Sequence, residues 1–352
     1  MQQTNSYTAT VDNAVKKRTK KQSQFPEIWR RFKRNPLAMA GLVVIILMIL
    51  MATFAGVLAP GTERDPGYDI QNLLNTRQLP SAEHIFGTDH LGRDIFARIA
   101  HGGRITLTVG LIVVSISVTI GVTLGSISGF YGKITDNIIM RVIDMILAIP
   151  NILLAIAIAA TLGAGLTSIM IAVGIGAIPS YARIVRGQVL SIKEQEFVEA
   201  ARSVGASDLR IILKHVLPNC MAPIIVSATM GIALAILSAA ALSFLGLGLQ
   251  PPTPEWGAML SDGRRFMLNE GHWHMTLFPG LFIALIVFSL NLVGDGLRDA
   301  FDPKLRSAGF SKRKFNRMRR KIEKATTYEV AISDATISEV TISDGEVTGH
   351  GR

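Results

Sequence analysis

The polar segment from Ser191 to Asn219 carries the residues best suited to contact a partner in water. It lies between two long apolar stretches that each resemble membrane spans, and it contains charges of both signs. A polar hairpin between spans is displayed to the aqueous phase, so the chemistry that it offers is recognition of another surface. The charged residues left for water or a partner are Glu199, Arg202, Asp208, Arg210 and Lys214.

Metal ligands are scarce in the sequence. His272 and His274 are spaced two apart, without a carboxylate or cysteine at ligand spacing, so we predict no metal site. The single cysteine, Cys220, excludes an intrachain disulfide and argues against a thiolate cluster. We expect Cys220 to be a buried or membrane-edge structural residue, and Trp256 and Trp273 to be anchors at the membrane interface.

Two short helices joined by a glycine turn are predicted to position the hairpin residues. Residues 193–204 favour helix, and Gly205 supplies the backbone conformation at which such a helix stops. Ser207 is predicted to cap the second helix, which ends before Pro218. The apolar residues that recur at the three and four spacing of one helix face are Phe197, Ala200, Ala201 and Val204.

Composition places the chain among all-α polytopic membrane proteins. Of its 352 residues, 49% are hydrophobic and 18% are charged, and the mean hydropathy is +0.37. The net charge of +10 clusters beside the apolar runs, as charge that sets membrane topology does, so no nucleic-acid partner is expected. Six runs are long enough to cross a hydrocarbon core of about 30 Å. They cover about residues 36–60, 105–132, 137–161, 166–187, 216 onward and 275–294.

Basic flanks predict the domain organisation. Residues 1–35 are a cytoplasmic basic segment, residues 36–300 a six-span domain, and residues 301–352 a basic and then disordered cytoplasmic tail. The six-span domain contains an outer loop over 61–104 and the cytoplasmic hairpin over 188–219. Both termini are therefore expected in the cytoplasm, and the basic part of the tail is expected against anionic lipid headgroups.

A second polar motif lies in the outer loop. Residues 93–100 are predicted to form a short amphipathic helix at the membrane surface. The charges of Asp89, Arg93 and Asp94 fit ion pairs that order the loop better than they fit substrate contacts. The residues of this motif are Gly87, Thr88, Asp89, Gly92, Arg93 and Asp94.

The sequence lacks chemistry for driving transport by itself. No GxxxxGK[ST] loop occurs, because Gly132-Lys133 lacks the upstream glycine and the following Ser or Thr. We therefore predict that the chain is not an enzyme and has no catalytic residues. The spans carry no ionisable residue near the midplane, whereas ion-coupled carriers normally need such groups. Energy for transport then enters from outside the membrane, and the hairpin is the large cytoplasmic element able to receive it.

The hairpin resembles the EAA loop of ATP-binding-cassette importer permeases, through Glu199-Ala200-Ala201, Gly205 and Leu217-Pro218. The outer motif resembles the GTDxxGRD segment of peptide-class permease subunits, and LSFLGLGLQPPTPEWG and NLVGDGLRDAFDP also resemble that family. The resemblance covers about residues 26–308; one departure is His215, which stands where the family usually has isoleucine. The residues that the resemblance assigns to ATPase coupling are Glu199, Ala200, Ala201, Gly205, Ala206, Ser207, Asp208, Leu209, Arg210, Ile211, Leu217 and Pro218.

The resemblance implies a type I importer permease fold with six transmembrane helices in a bacterial or archaeal cytoplasmic membrane. It implies a heterodimer with a second permease, two cytoplasmic ATPase subunits and an extracytoplasmic solute-binding protein. ATP and Mg²⁺ would bind the ATPases, so this chain is expected to hold no cofactor. The run Ala239-Ala240-Ala241, where many oligopeptide relatives carry an acid, resembles the dipeptide subclass. Dipeptides or short oligopeptides are therefore the expected cargo.

Three other functions remain open at this point. The same family includes permeases for nickel, and other small solutes are also compatible with the sequence. An ion-coupled secondary transporter would lose uptake with an uncoupler and would ignore missing ATPases. A membrane scaffold or sensor would give no vectorial flux with any set of partners.

Overall fold

A computed structural model of the chain describes residues 25–61 and 66–302. Every named element within these ranges is a helix. The expectations for the basic cluster before residue 25 and for the tail after residue 302 fall outside the described residues. The helices are α1 Phe25–Phe32, α2 Pro36–Thr53, α3 Ala55–Leu58, α4 Ile95–Tyr131, α5 Lys133–Leu147, α6 Asn151–Leu162, α7 Leu166–Lys193, α8 Glu196–Ser203, α9 Asp208–Ile211, a π-helix Ile212–Val216, α10 Leu217–Phe244, α11 Trp256–Glu270 and α12 His274–Phe301.

Five helical stretches in the described part of the chain are long and apolar enough to cross a membrane. They are α2, α4, α7, the continuous run from α9 to α10, and α12. The pair α5 and α6 supplies a sixth crossing if it counts as one bent span. This count agrees with the six predicted spans.

The third predicted span differs from its expected form. Instead of one kinked helix over residues 137–161, α5 and α6 are separate and meet at 86°. The break lies at Pro150, which has no N–H for the helical ladder and excludes helical backbone at the preceding residue. Near the end of α5, Asp144 pairs with Arg183 of α7 at 2.5 Å.

The second span begins earlier than predicted. Its helix α4 starts at Ile95, where Asp94 caps it by accepting the Ala97 N–H at 2.9 Å. The surface helix predicted over residues 93–100 is therefore wrong, because Ile99 and its neighbours are the first, buried turns of α4. A helix of 37 residues is about 56 Å long and extends beyond the hydrocarbon core, where it supports the outer loop.

Close packing of α4 on α7 forms the centre of the fold. Gly121, Gly125 and Gly129 lie one turn apart on α4 and face α7. A Cβ atom at Gly125 would lie 2.5 Å from the carbonyl oxygen of Ala182, so only glycine permits this approach. Small residues therefore let these two helices approach closely, as is typical where lipid gives no hydrophobic drive for association.

The segment between α10 and α12 contains one further long helix, α11. Helix α11 begins at Trp256 and is capped by Glu255, whose carboxylate accepts the N–H groups of Gly257 and Ala258 at 3.0 and 2.9 Å. The prediction that Trp256 anchors the chain at the membrane interface is wrong. Its side chain is fully buried, and its Nε1 donates to the Ile99 carbonyl at 3.0 Å.

Candidate functional site at the polar hairpin

The hairpin is built on the ends of α7 and α10. Its apolar base joins α8, α9 and the π-helix to the last turns of α7 and to the end of α4. One hydrophobic cluster therefore fixes the hairpin to three long helices, α4, α7 and α10. The buried members of that cluster are Phe130, Val185, Val189, Ile192, Val198, Ala201, Ile211, Ile212, Val216, Cys220 and Ile224.

Helix α8 buries a different face from the predicted one. Val198 and Ala201, three residues apart, are 2% and 9% exposed, whereas Phe197, Ala200 and Val204 are exposed. The spacing of apolar residues indicated a helix correctly, but an eight-residue helix touches its support along one narrow line. The remaining apolar side chains of α8 are therefore available to another molecule.

The turn after α8 has the geometry predicted for Gly205. Its φ angle is +79°, the Gly205 N–H donates to the Arg202 carbonyl at 3.0 Å, and the Ala206 N–H donates to the Ala201 carbonyl at 3.1 Å. These two bonds form a Schellman motif, which satisfies the last carbonyls of the helix. A Cβ atom added at Gly205 would meet no atom within 4 Å. Glycine is therefore required here by the backbone conformation and not by lack of space.

The second helix begins as predicted, although its cap differs. Ser207 occupies the N-cap position, but its side chain makes no capping hydrogen bond; its carbonyl accepts the Ile211 N–H at 2.9 Å. The helix α9 is only four residues long and continues into the π-helix. Asp208, Leu209 and Arg210 are exposed at its start, while Ile211 is fully buried.

The π-helix leads the hairpin into α10 at the Leu217-Pro218 pair. Pro218 has no N–H to donate to the carbonyl one turn earlier, and its ring crowds that turn, so a wider helical turn suits this position. The Asn219 side chain donates to the His215 carbonyl at 2.6 Å. His215 is partly buried at this junction.

Exposed apolar side chains concentrate around the Gly205 turn. Val204, Leu209 and Leu213 are 84%, 65% and 55% exposed. Within residues 25–61 and 66–302, no ion pair includes Glu199, Asp208 or Arg210, which are exposed beside them. We call the surface formed by Val204, Asp208, Leu209, Arg210 and Leu213 the hairpin tip.

The outer motif has the opposite character. Asp89 and Arg93 are 7% and 1% exposed, and the Arg93 Nε lies 2.7 Å from the Asp89 carboxylate. Arg93 also reaches Asp69 at 3.3 Å, while Asp94 pairs with His84 at 2.8 Å. The pair between Asp89 and Arg93 agrees with the prediction that these charges order the loop, whereas the contacts with Asp69 and His84 were not predicted. We call the ordered region formed by residues 66–94 and the helix ends beneath it the outer cap.

Backbone contacts in the outer cap explain its glycines and its threonine. Gly87 and Gly92 have φ angles of +78° and +73°, and a Cβ atom at either would overlap a backbone carbonyl of the same loop. The buried Thr88 hydroxyl donates to the Asn75 carbonyl at 2.6 Å and accepts the Gln78 N–H at 2.8 Å. All six residues of the motif are therefore brought together in one structure.

Several residues that hold the outer cap were not predicted. The guanidinium of Arg98 is 3% exposed and donates to the carbonyls of Tyr68 and Pro252 at 3.4 and 3.2 Å. His274, which is fully buried, places Nε2 3.2 Å from the Thr88 carbonyl oxygen. In the sequence, Arg98 and His274 are recognisable only as charged or polar residues beside an apolar run. Many exposed residues fit the same description, so this signal does not identify them.

Glu255, which is 4% exposed, is a second buried carboxylate of this region beside Asp89. Burial raises the pKa of the Glu255 carboxyl, while the two backbone N–H groups that it accepts lower that pKa by a smaller amount. No group of three His, Cys, Asp or Glu side chains in the described ranges is arranged to hold a metal ion. His272 and His274, the pair considered for metal binding, have rings 5.9 Å apart at 86°.

Comparison with known proteins gives two family matches. The family described as "Binding-protein-dependent transport system inner membrane component" matches residues 121–307. The family described as "N-terminal TM domain of oligopeptide transport permease C" matches residues 23–80. The first match alone covers more than half of the chain.

Named relatives are similar over most of their length. The chain is 50% identical over 285 residues to the dipeptide transport system permease protein DppC of Alkalihalophilus pseudofirmus, covering 81% of this chain and 91% of that protein. It is 48% identical over 280 residues to the glutathione transport system permease protein GsiD of Escherichia coli, covering 80% and 90%. A chain of the MetNI methionine ABC transporter in an inward-facing conformation matches with a TM-score of 0.48 and 19% identity, over 58% of this chain and 97% of that one.

The two family matches and the two named relatives confirm the resemblance to importer permeases, and the relatives are transport proteins. The described residues agree with the expected all-helical, multi-pass fold. The chain belongs to the family of binding-protein-dependent transport system inner membrane components, the permeases of ATP-binding-cassette importers.

Proposed function

We propose that this chain is the permease subunit of an ATP-driven importer of dipeptides or short oligopeptides. The observation that carries the coupling role is the hairpin tip, where apolar residues project from a structure that is otherwise anchored in the fold. The peptide cargo is supported by relatives named for dipeptide and glutathione transport. The chain itself hydrolyses no ATP; ATP and Mg²⁺ bind the ATPases.

The partners follow from this assignment. A second permease completes the translocation path, two cytoplasmic ATPases contact the hairpins, and an extracytoplasmic binding protein delivers the peptide. Both termini lie in the cytoplasm of a bacterial or archaeal cell, on the same side as the hairpin. The arrangement is supported by the basic residues near α1 and near the hairpin, since positive charge favours the cytoplasmic side.

Coupling takes place by rigid-body movement. The ATPases close on ATP and displace the hairpin tip, and the cluster that joins α8, α9 and the π-helix to α7 carries this displacement into the spans. Because α10 continues directly from the π-helix, it moves with the hairpin. The path then opens alternately to the two sides of the membrane.

A matched pair of glycine substitutions tests the coupling role. Gly205→Leu strains a backbone at φ +79° in the hairpin, and Gly163→Leu strains one at φ +88° in the turn between α6 and α7; neither added Cβ atom meets an atom within 4 Å. In the reconstituted transporter, we expect Gly205→Leu to reduce binding-protein-stimulated ATP hydrolysis and peptide uptake about tenfold or more, with Gly163→Leu close to the unmodified protein. Unchanged hydrolysis and uptake in Gly205→Leu would contradict the proposed role.

The cargo is tested separately by competition. Uptake of a labelled dipeptide into proteoliposomes is measured with unlabelled dipeptides, longer peptides or Ni²⁺ as competitors. We expect peptides to compete and Ni²⁺ to have no effect. Competition by Ni²⁺ alone would assign the chain to the nickel permeases without changing the coupling result.

A further inference from the structure

Helix α1 is held at the cytoplasmic end of the fold by its apolar face. Phe32 is 3% exposed and packs with Ala38 of α2 and with Val293 and Ala300 of α12, and Ile28 adds to the same cluster. The approach depends on Gly296, where a Cβ atom would overlap Ala38 and lie 3.1 Å from the Phe32 ring. One face of α1 is therefore covered by its own chain.

The position of α1 relative to the membrane is fixed by the turn that follows it. Only three residues separate Phe32 from Pro36, where the uncharged span α2 begins. Asn35 caps α2 by accepting the N–H groups of Leu37 and Ala38 at 3.1 and 3.2 Å. Because this turn is short and hydrogen-bonded, α1 lies at the boundary between hydrocarbon and water.

The uncovered face of α1 is aromatic and basic. Trp29 is 42% exposed, stacks on Phe32 with ring centroids 5.8 Å apart, and carries the Lys33 ammonium 5.0 Å from its ring centroid. Arg30, Lys33 and Arg34 are exposed, and no ion pair in residues 25–61 or 66–302 neutralises them. Arg31 differs, because it is paired with Glu27 at 2.7 Å.

We propose that Trp29, Arg30, Lys33 and Arg34 form a binding site for anionic phospholipid headgroups in the cytoplasmic leaflet. The three free cations supply the charge that such headgroups complement, and Trp29 supplies the ring that settles at this depth of a bilayer. Because a short turn joins α1 to the span α2, the site stays at the lipid surface. Each exposed cation at a charged lipid surface favours anionic over neutral lipid by about fivefold.

Quenching of Trp29 by brominated lipids tests this site. The full-length chain carrying Trp273→Phe is reconstituted into phosphatidylcholine bilayers that contain a minor, equal fraction of brominated phosphatidylglycerol or brominated phosphatidylcholine. This background removes the other exposed tryptophan and leaves Trp256, which is fully buried. We expect the brominated anionic lipid to quench Trp29 at a mole fraction at least about fivefold lower than the neutral one, since the site holds more than one cation.

Two substitution pairs distinguish the site from general surface charge. Arg30→Gln with Arg34→Gln should lower the preference for the brominated anionic lipid at least about fivefold, whereas Arg264→Gln with Arg265→Gln, which removes the same charge from exposed positions on α11, should keep the preference. High salt should weaken the preference in the chain without these charge substitutions, which tests the charge dependence even if a variant misfolds. Equal quenching by both lipids before substitution would overturn the proposal. Absence of quenching by either lipid would also overturn it and would show that protein covers this face.

Discussion

The outer cap and the hairpin tip use polar residues in opposite ways. In the outer cap, Asp89, Arg93 and Thr88 are buried and each is bound by partners within the same chain. At the hairpin tip, Asp208 and Arg210 face solvent beside exposed Leu209. The cap is therefore built to keep one geometry, whereas the tip exposes the residues that we propose contact the ATPases.

Removal of one charged side chain should give the largest difference in stability loss between the outer cap and the hairpin. Arg93→Met removes the guanidinium that lies 2.7 Å from buried Asp89 and leaves that carboxylate with Arg98 at 3.7 Å, and we expect a loss of about 3–5 kcal/mol in the free energy of unfolding. Arg202→Met in the hairpin removes an exposed guanidinium that lies 5.8 Å from the Phe130 ring, and should cost less than about 1 kcal/mol. Thermal unfolding of the full chain in detergent measures both, and equal losses would refute the contrast.

Two glycines with nearly the same backbone angle sharpen the contrast. Gly87 and Gly205 have φ angles of +78° and +79°, but an added Cβ atom would overlap the Gln78 carbonyl and lie 2.8 Å from the His274 ring at Gly87, and would meet nothing at Gly205. Gly205→Ala should destabilise by about 1–2 kcal/mol through backbone conformation alone. Gly87→Ala should destabilise by about 1–3 kcal/mol more because of overpacking. The same unfolding assay would contradict this reasoning if the two variants lost equal stability.

At the hairpin tip, function and stability should separate. Leu209→Ala removes a side chain that is 65% exposed, so the unfolding free energy should stay within about 0.5 kcal/mol of the unmodified chain. If the ATPase covers this residue, coupled ATP hydrolysis should fall about tenfold. Leu74→Ala in the outer loop, where the side chain is 95% exposed, is the matched control and should preserve both quantities. Normal ATP hydrolysis in Leu209→Ala would show that Leu209 is not part of the contact with the ATPase.

The smallest predicted effect is a dependence on pH in the outer region. Burial raises the pKa of Glu255 in the folded chain, so the folded state keeps its proton to a higher pH than the unfolded state does. The stability contributed by this group is therefore full below its ordinary pKa and declines as pH rises through the interval up to the raised pKa. Glu255→Gln should flatten this part of the curve of stability against pH, and Glu199→Gln, which removes an exposed carboxyl, should not. An unchanged curve in Glu255→Gln would contradict the assignment.

Local signals predicted much of both regions. The Gly205 turn followed from residue type, and the ion pair between Asp89 and Arg93 followed from opposite charges four residues apart. Membrane spans were visible because hydrocarbon demands long apolar runs. The bond from Trp256 to the Ile99 carbonyl joins residues 157 apart, and neither the tryptophan nor its surroundings specify that distant partner.

The face of α8 shows why some errors arose close to the site. Phe197, Val204 and Val198 are all apolar, and periodicity alone does not tell which of them meet the fold. The answer depends on the angle at which α8 leaves α7, and that angle is set by the turn at residues 194–195 and by the cluster beneath. The same apolar residue types occur in a surface that contacts a partner and in the core, so residue type does not distinguish the two.

The right-angled break between α5 and α6 has a consequence for water. Helix α6 has 12 residues and is about 18 Å long, which is shorter than the hydrocarbon core. The carbonyls that end α5 and the N–H groups that begin α6 lack partners within their own helices, and bare backbone groups are not tolerated against lipid tails. The break near Pro150 is therefore covered by protein or hydrated in the assembled transporter. At the depth of this break we expect polar protein groups or water, and not lipid tails, to contact the helix ends.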